Sequence, residues 1–169
     1  PEELEARTIH TSFIGKLPFA RRLYRHYLPL FPLAVRGLDV RAFDLVVSSS
    51  HCVAKSVTPG KRARHISYCH TPMRYVWDRF DDYFGPARMG QFGSAALRVM
   101  AEGLRAWDVA TAHRAHRYVA NSGTVAARIR YFYGREATVI EPPVDTDIFT
   151  PGPDDAAAPD YDLVVSALV

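Results

Sequence analysis

The sequence predicts an α/β domain built on a parallel, doubly wound sheet, and three observations carry that prediction. Short apolar runs with β-branched residues recur at 44–50, 64–69, 117–120 and 137–140. Segments of helical period or longer connections separate them, which is the pattern of parallel strands joined by crossovers. The run His65-Ile66-Ser67-Tyr68-Cys69 stops at His70-Thr71-Pro72, and residues 73–77 read as the start of a helix. In an open α/β sheet, ligands bind in the crevice beyond the carboxyl ends of the strands. His70 stands on that lip. Thr71 as N-cap and Pro72 as first helical residue would set free N–H groups and a positive helix end beside it.

In chain order, residues 7–10 read as a short strand. Residues 19–28 read as a helix with Phe19, Leu23 and Tyr27 on one face and Arg21, Arg22, Arg25 and His26 mostly on others. Pro29 and Pro32 break it, and 30–38 continues as an apolar, partly helical stretch. Between Lys16 and Arg41 six Lys/Arg face one acid, Asp39. The segment fits a basic, aromatic surface lying against anionic lipid. It fits equally an ordinary solvated helix face.

The strand at 44–50 has a continuous apolar centre, as a strand covered on both faces requires, and ends in three hydroxyls. A short helix at 51–57 and a turn at Thr58-Pro59-Gly60 lead to the strand at 64–69. Residues 80–93, with Gly, Pro and aromatics, read as a loop able to cover a site. A long helix follows at 94–115, with Ala96, Val99, Met100, Gly103, Trp107 and Ala110 as its core stripe. His113 and His116 near its end favour the negative helix terminus, having no third metal ligand nearby. After the strand at 117–120, Asn121-Ser122 caps a helix with Val125, Ile129 and Phe132 on one face and Gly134 at C′. The last strand of the domain is 137–140. Asp145 then fixes the turn Glu141-Pro142-Pro143-Val144-Asp145.

The 169 residues, 48% hydrophobic and 23% charged, suit one globular domain. No apolar run reaches the 18 residues of a membrane span. The chain opens without methionine and stops inside a strand-like run, so it reads as a piece of a longer protein. Two cysteines make no disulfide framework and favour a reduced, cytosolic setting. A net charge of +3 does not mark a nucleic-acid binder. No phosphate-binding glycine motif is present. Cys52 adjoins His51 and Cys69 adjoins His70, but strand neighbours point to opposite faces and C-x-x-C spacing is absent. Neither a Cys/His nucleophile nor a metal site is expected.

Four segments together resemble a known family. They are Ser48-Ser49-Ser50-His51-Cys52-Val53-Ala54-Lys55, Tyr68-Cys69-His70-Thr71-Pro72-Met73-Arg74-Tyr75, Ala120-Asn121-Ser122 and Pro142-Pro143-Val144-Asp145. The chain resembles glycosyltransferase family 4 from about Thr8 to Val169, and more narrowly its bacterial mannosyltransferase-like members that assemble surface polysaccharide. The resemblance implies a GT-B fold: two Rossmann-like domains across a cleft, retaining transfer, and no metal or other cofactor. The chain would be truncated at both ends. Residues 1–149 would form the N-terminal acceptor-side domain without its first strand, 150–160 the interdomain linker, and 161–169 the first strand of the donor domain. Without the opening Gly-rich loop and the donor domain's basic and E-x7-E elements, the fragment alone would be inactive.

Carried onto this sequence, the resemblance makes His70 the catalytic candidate, contacting the transferred sugar or assisting the acceptor. The alternative is a histidine capping the next helix. Ser50 and His51 would line the acceptor side or cap the following helix. Thr71 joins them as a binding candidate, and Arg74 would reach a phosphate or remain a solvated surface group. Asn121 and Ser122 would cap first and touch the cleft second. The implied partners are a nucleotide sugar such as GDP-mannose and a lipid-linked saccharide acceptor, with no nucleic acid. The 16–41 segment would hold the cytoplasmic enzyme on the inner face of the plasma membrane. Two other readings stay open: a GT-B nucleotide-sugar epimerase, and a non-catalytic glycan- or lipid-binding module.

Overall fold

The structure is a computed structural model that describes residues 7–150. Its centre is a four-stranded parallel sheet in the order β1-β2-β3-β4, with β1 Leu45–Ser50, β2 Arg64–Cys69, β3 Arg117–Ala120 and β4 Ala137–Val139. The α/β class and the parallel sheet are as the sequence predicts, and they match a Rossmann-like half of a GT-B fold. The expected linker at 150–160 and the strand at 162–166 lie almost wholly outside the described residues.

Strand order and burial explain each other. Strands that add in sequence through right-handed crossovers put all their connections on one face. Val46 and Ser48 of β1, His65, Ser67 and Cys69 of β2, and Tyr118 and Ala120 of β3 are buried on that face. The other face is open: Leu45 is 57% and Val47 63% exposed. The continuous apolar run of β1 had implied cover on both faces. Among the described residues it has cover on one.

The connections differ from the sequence reading in several places. Residues 7–10 form no strand. The expected helix at 19–28 is a single turn, α1 Ala20–Leu23, followed by a 3-10 stretch Tyr24–Leu30 that contains Pro29, and then α2 Phe31–Arg36. Proline forbids the regular ladder there, and the residue that reaches the core is Leu28, while Phe19 stays 73% exposed with a left-handed φ of 52°. The expected helix at 51–57 shrinks to a 3-10 turn, Ala54–Ser56, and Pro59 forms a bridge with Val40. The expected loop at 80–93 is helical: α3 Arg74–Trp77 is followed by α4 Phe80–Phe84 and by α5 Pro86–Ala110. Phe80 and Phe84, four residues apart, bury one face of α4, and Gly85 turns the corner. A Cβ at Gly85 would lie 2.4 Å from the Asp81 carbonyl oxygen. Gly90, with φ 68°, kinks the first turn of α5.

The core stripe of α5 is also displaced. Of the expected stripe Met100 and Trp107 do pack on the core, beside Leu97 and the buried Ala101, Leu104 and Asp108, whereas Ala96, Val99, Gly103 and Ala110 face outward. The outward set is as apolar as the inward one, so periodicity alone could not choose. A 3-10 turn, Ala112–Arg114, joins α5 to β3. The final helix, α6 Gly123–Tyr133, follows the sequence closely. Ser122 Oγ accepts from Val125 N at 3.3 Å, Val125 and Ile129 are buried with Tyr133 rather than the expected Phe132, which is only partly buried, and Gly134 closes it in the left-handed region at φ 61°. Among the described residues no helix is long and apolar enough to cross a membrane.

A buried ion pair ties these layers together. Lys55 Nζ stands 3.0 Å from Asp108 Oδ1, with both side chains almost fully buried. The same ammonium donates to the Asp108 carbonyl at 2.7 Å and lies 4.6 Å from the Tyr133 ring centroid. Asp108 Oδ2 accepts from Trp77 Nε1 and Tyr133 OH, each at 2.9 Å. Four segments therefore meet on one carboxylate: the turn after β1, α3, α5 and α6. Burial lowers the Lys55 pKa, and Asp108 opposes that shift. Burial and the carboxylate both raise the Tyr133 pKa, which keeps its hydroxyl a donor.

His65 forms a second tie. Its Nε2 lies 2.9 Å from Ser48 Oγ and its Nδ1 3.0 Å from the Arg114 carbonyl. A carbonyl can only accept, so Nδ1 carries the proton and Ser48 donates to Nε2. The His65 backbone N–H donates to His116 Nδ1 at 3.0 Å, so His116 serves the sheet.

Asp108→Ala strands a buried ammonium and should cost about 3–5 kcal/mol in urea unfolding of the full chain. Lys55→Met combined with Asp108→Leu should recover the part due to the stranded charge, while Trp77 and Tyr133 still lose their acceptor; a cost under about 1 kcal/mol for the single change would show that the pair is not the tie. Burial, chiefly, lowers the His65 pKa below 6.5. The fold thus favours the neutral ring, and its contribution is complete above 6.5 and declines as pH falls below that value. In His65→Phe this part of the acid destabilisation should disappear from pH-dependent melting curves.

Candidate functional site

β1, β2 and β3 end level with one another. Ser50 pairs with Cys69 and Cys69 with Ala120, so His51, His70 and Asn121 follow on three adjacent strands at the carboxyl lip. The His70 N–H donates to the Ser50 carbonyl at 3.0 Å, which carries the ladder one residue further and fixes the lip. Alternation sends Ser49, Tyr68 and His70 to the open face of the sheet. There His70 Nε2 lies 3.0 Å from Ser49 Oγ, and its ring meets Tyr68 edge-on at 5.2 Å. Tyr68 OH donates in turn to the Ile140 carbonyl at 3.1 Å. The catalytic candidate is therefore an exposed imidazole held on one nitrogen and braced on one face.

His51 and Arg74 complete a small electropositive cluster. The His51 ring lies 6.3 Å from that of Tyr75. Its pKa is lowered by partial burial first, and then by the charges of His70 and Arg74. Both His51 and Arg74 are exposed. Chemically, the cluster offers hydrogen bonds from imidazole and guanidinium groups to a polyhydroxylated or anionic ligand.

The remaining sequence candidates do other things. Ser50 Oγ accepts from Cys52 N at 2.8 Å, the local turn that was its alternative reading. Thr71 is buried and does not cap α3; Met73 occupies the N-cap position with no side-chain bond. Thr71 Oγ1 instead accepts from Arg128 Nε at 3.3 Å, and Arg128 also pairs with Asp78, tying α6 to the lip. The positive helix end expected beside His70 is thus a single four-residue turn. Asn121 Oδ1 accepts from the Ser122 hydroxyl at 3.4 Å, and Ser122 caps α6.

Sequence reasoning missed Ser49 and Tyr68 as partners of His70. The signal was available: once β1 and β2 are parallel and in register, period-two alternation selects Ser49, not Ser50, to share a face with His70. Cys52 and Cys69 are free, and burial pushes both thiols up to about 12, so neither is a thiolate at neutral pH. Among the described residues no three His, Cys, Asp or Glu side chains are grouped to hold a metal.

NMR titration of the His51 ring should give a midpoint below 6.5, and His70→Ala should move it part of the way back. Burial remains in the variant while the charge of His70 is gone. A His51 midpoint that does not move in His70→Ala would separate the two rings electrostatically.

With this geometry in place, comparison with known proteins gives one result. Searches of curated proteins and of solved structures return no match. The sequence model of the family described as Glycosyltransferase Family 4 matches residues 1–148, nearly the whole chain. A lip histidine on a parallel sheet is then read in the context of sugar transfer, and the chain belongs to glycosyltransferase family 4.

Proposed function

We propose that the chain is the acceptor-side part of a retaining hexosyltransferase that moves a mannose-like sugar from a nucleotide sugar, GDP-mannose, to a lipid-linked saccharide. One observation carries this reading: in a family 4 chain, His70 is held by Ser49 at the carboxyl lip beside His51 and Arg74. In the transfer, the bond from the anomeric carbon to the leaving diphosphate breaks, the acceptor oxygen bonds to that carbon, and its proton passes to the departing diphosphate. His70 hydrogen-bonds the sugar or the incoming hydroxyl, and a ring fixed by Ser49 is already oriented for that contact. Arg74 faces the acceptor's phosphate. A second domain following the linker holds the nucleotide diphosphate and stabilises it as it leaves, without a metal.

The acceptor's lipid gives the basic segment a role. Phe19 and Leu33 are 73% and 56% exposed, with Lys16, Arg21, Arg22 and Arg36 exposed around them. The same stretch is anchored by Leu28, which packs in one cluster with Met73 and Tyr75 next to the lip. An anionic membrane surface at this segment brings the acceptor to His70.

The test uses the full-length protein with membrane extract and a panel of GDP-, UDP- and ADP-sugars, followed by nucleotide release. One donor should turn over, and His70→Ala should lower the rate more than about tenfold, or about 1.4 kcal/mol. Ser49→Ala should cost less, because it only loosens the ring. Normal turnover in His70→Ala would remove His70 from the site; no turnover with any donor would favour a glycan-binding module over an enzyme.

A further inference from the structure

α5 has two apolar faces, and among the described residues only one is packed. Its inner face packs on the core, while Phe92, Ala96, Val99, Gly103, Ala106 and Ala110 are all exposed on the outer side, Phe92 to 95% and Val99 to 76%. Their spacing is 4-3-4-3-4, the 3.5-residue repeat of a helix–helix seam. A surface helix of a globular domain ordinarily turns charged and polar residues outward.

We infer that this face pairs with the same face of a second copy, as two antiparallel α5 helices related by a two-fold axis at Ala101. The argument is one of fit. In that register Val99 lies level with Gly103 of the second copy, Phe92 with Ala110, and Ala96 with Ala106. Each bulky side chain meets a small one, and the seam is isologous, as a two-fold requires. Gly103 is open to receive a side chain, since a Cβ built there meets nothing within 4 Å. From Phe92 to Ala110 the strip is about 27 Å long at 1.5 Å per residue.

Charge points the same way. Arg98 and Glu102 border the seam on one flank; both are exposed, and within the chain Arg98 pairs with Asp81 and Glu102 with Arg105. The two-fold brings Glu102 to within two residues' rise of Arg98 of the second copy, about 3 Å along the axis. Glu102 accepts from Arg105 through Oε1, so an opposing Arg98 would join that exposed pair rather than neutralise a lone acid, and a carboxylate at mid-strip disfavours an anionic lipid surface. On this flank a groove of about 520 Å³ runs beside Ser94, Ala95 and Arg98. The Ser94 hydroxyl there is buried without a partner among the described residues, and in the proposed register Val109 of the second copy passes over the groove. The pairing does not depend on the sugar-transfer reading.

Light scattering on the full chain after gel filtration should give a dimer, and Val99→Glu should halve the mass while circular dichroism shows the fold unchanged. Register has its own test. Ala96→Cys mixed with Ala106→Cys should cross-link through a short bis-maleimide. Ala96→Cys alone should not, because like positions stand about 15 Å apart along the axis. A monomeric wild type, a dimer that survives Val99→Glu, or cross-linking of Ala96→Cys to itself would each overturn the pairing. So would a monomer that binds phosphatidylglycerol vesicles and loses that binding in Val99→Glu, which would assign the face to lipid.

Discussion

The carboxylate of Asp108 is the point on which the fold converges. Four chain segments reach it, and its ammonium partner comes from the turn that follows β1. A buried pair of this kind adds little net stability compared with apolar residues of the same shape. Its value lies in specificity, because an unpaired charge excludes every packing in which Lys55 and Asp108 do not meet. Trp77 is the link from this centre to the site. It closes the single turn that follows His70-Thr71-Pro72-Met73, and its indole N–H is fixed by the same carboxylate. The lip is thereby set from below by one buried charge and from the side by the Thr71–Arg128 contact.

The candidate site is built on the face of the sheet that the described helices leave free. Crossovers of one hand, taken in sequence, cover Val46, His65 and Tyr118 and leave Ser49, Tyr68 and His70 accessible. The division of labour follows the pleat. The histidine on the covered face, His65, is locked between Ser48 and the Arg114 carbonyl as a structural group. The one on the open face, His70, is held on one nitrogen by Ser49. Two histidines on the same strand region, five residues apart, differ in role because odd spacing puts them on opposite sides.

Much of this was legible in the sequence where a local rule was sufficient. β2 and β3 follow their apolar runs residue for residue, and Ser122 and Gly134 bound α6 because a cap and a left-handed stop leave little choice. What was not legible depended on tertiary choice. The outer face of α5 is as apolar as the inner one, so its period could not say which side meets the core. The buried Lys55–Asp108 pair joins residues 53 positions apart, with no local pattern to announce it. The segment at 80–93 carried loop-like residues, yet Phe80 and Phe84 gain more by burial as one turn of helix, with Gly85 placed only at the corner. At the site, the family resemblance pointed to His70, and the strand register supplied its partners.

The openness of the sheet face bears on fidelity. An anomeric centre presented to an uncovered His70 would meet water at far higher concentration than any saccharide. Bulk solvent would then compete as an acceptor and convert transfer into hydrolysis. For the transfer proposed above, a lip with its histidine at the surface would make the choice of acceptor a matter of enclosure: selectivity against water would have to come from whatever body closes over Ser49, Tyr68 and His70.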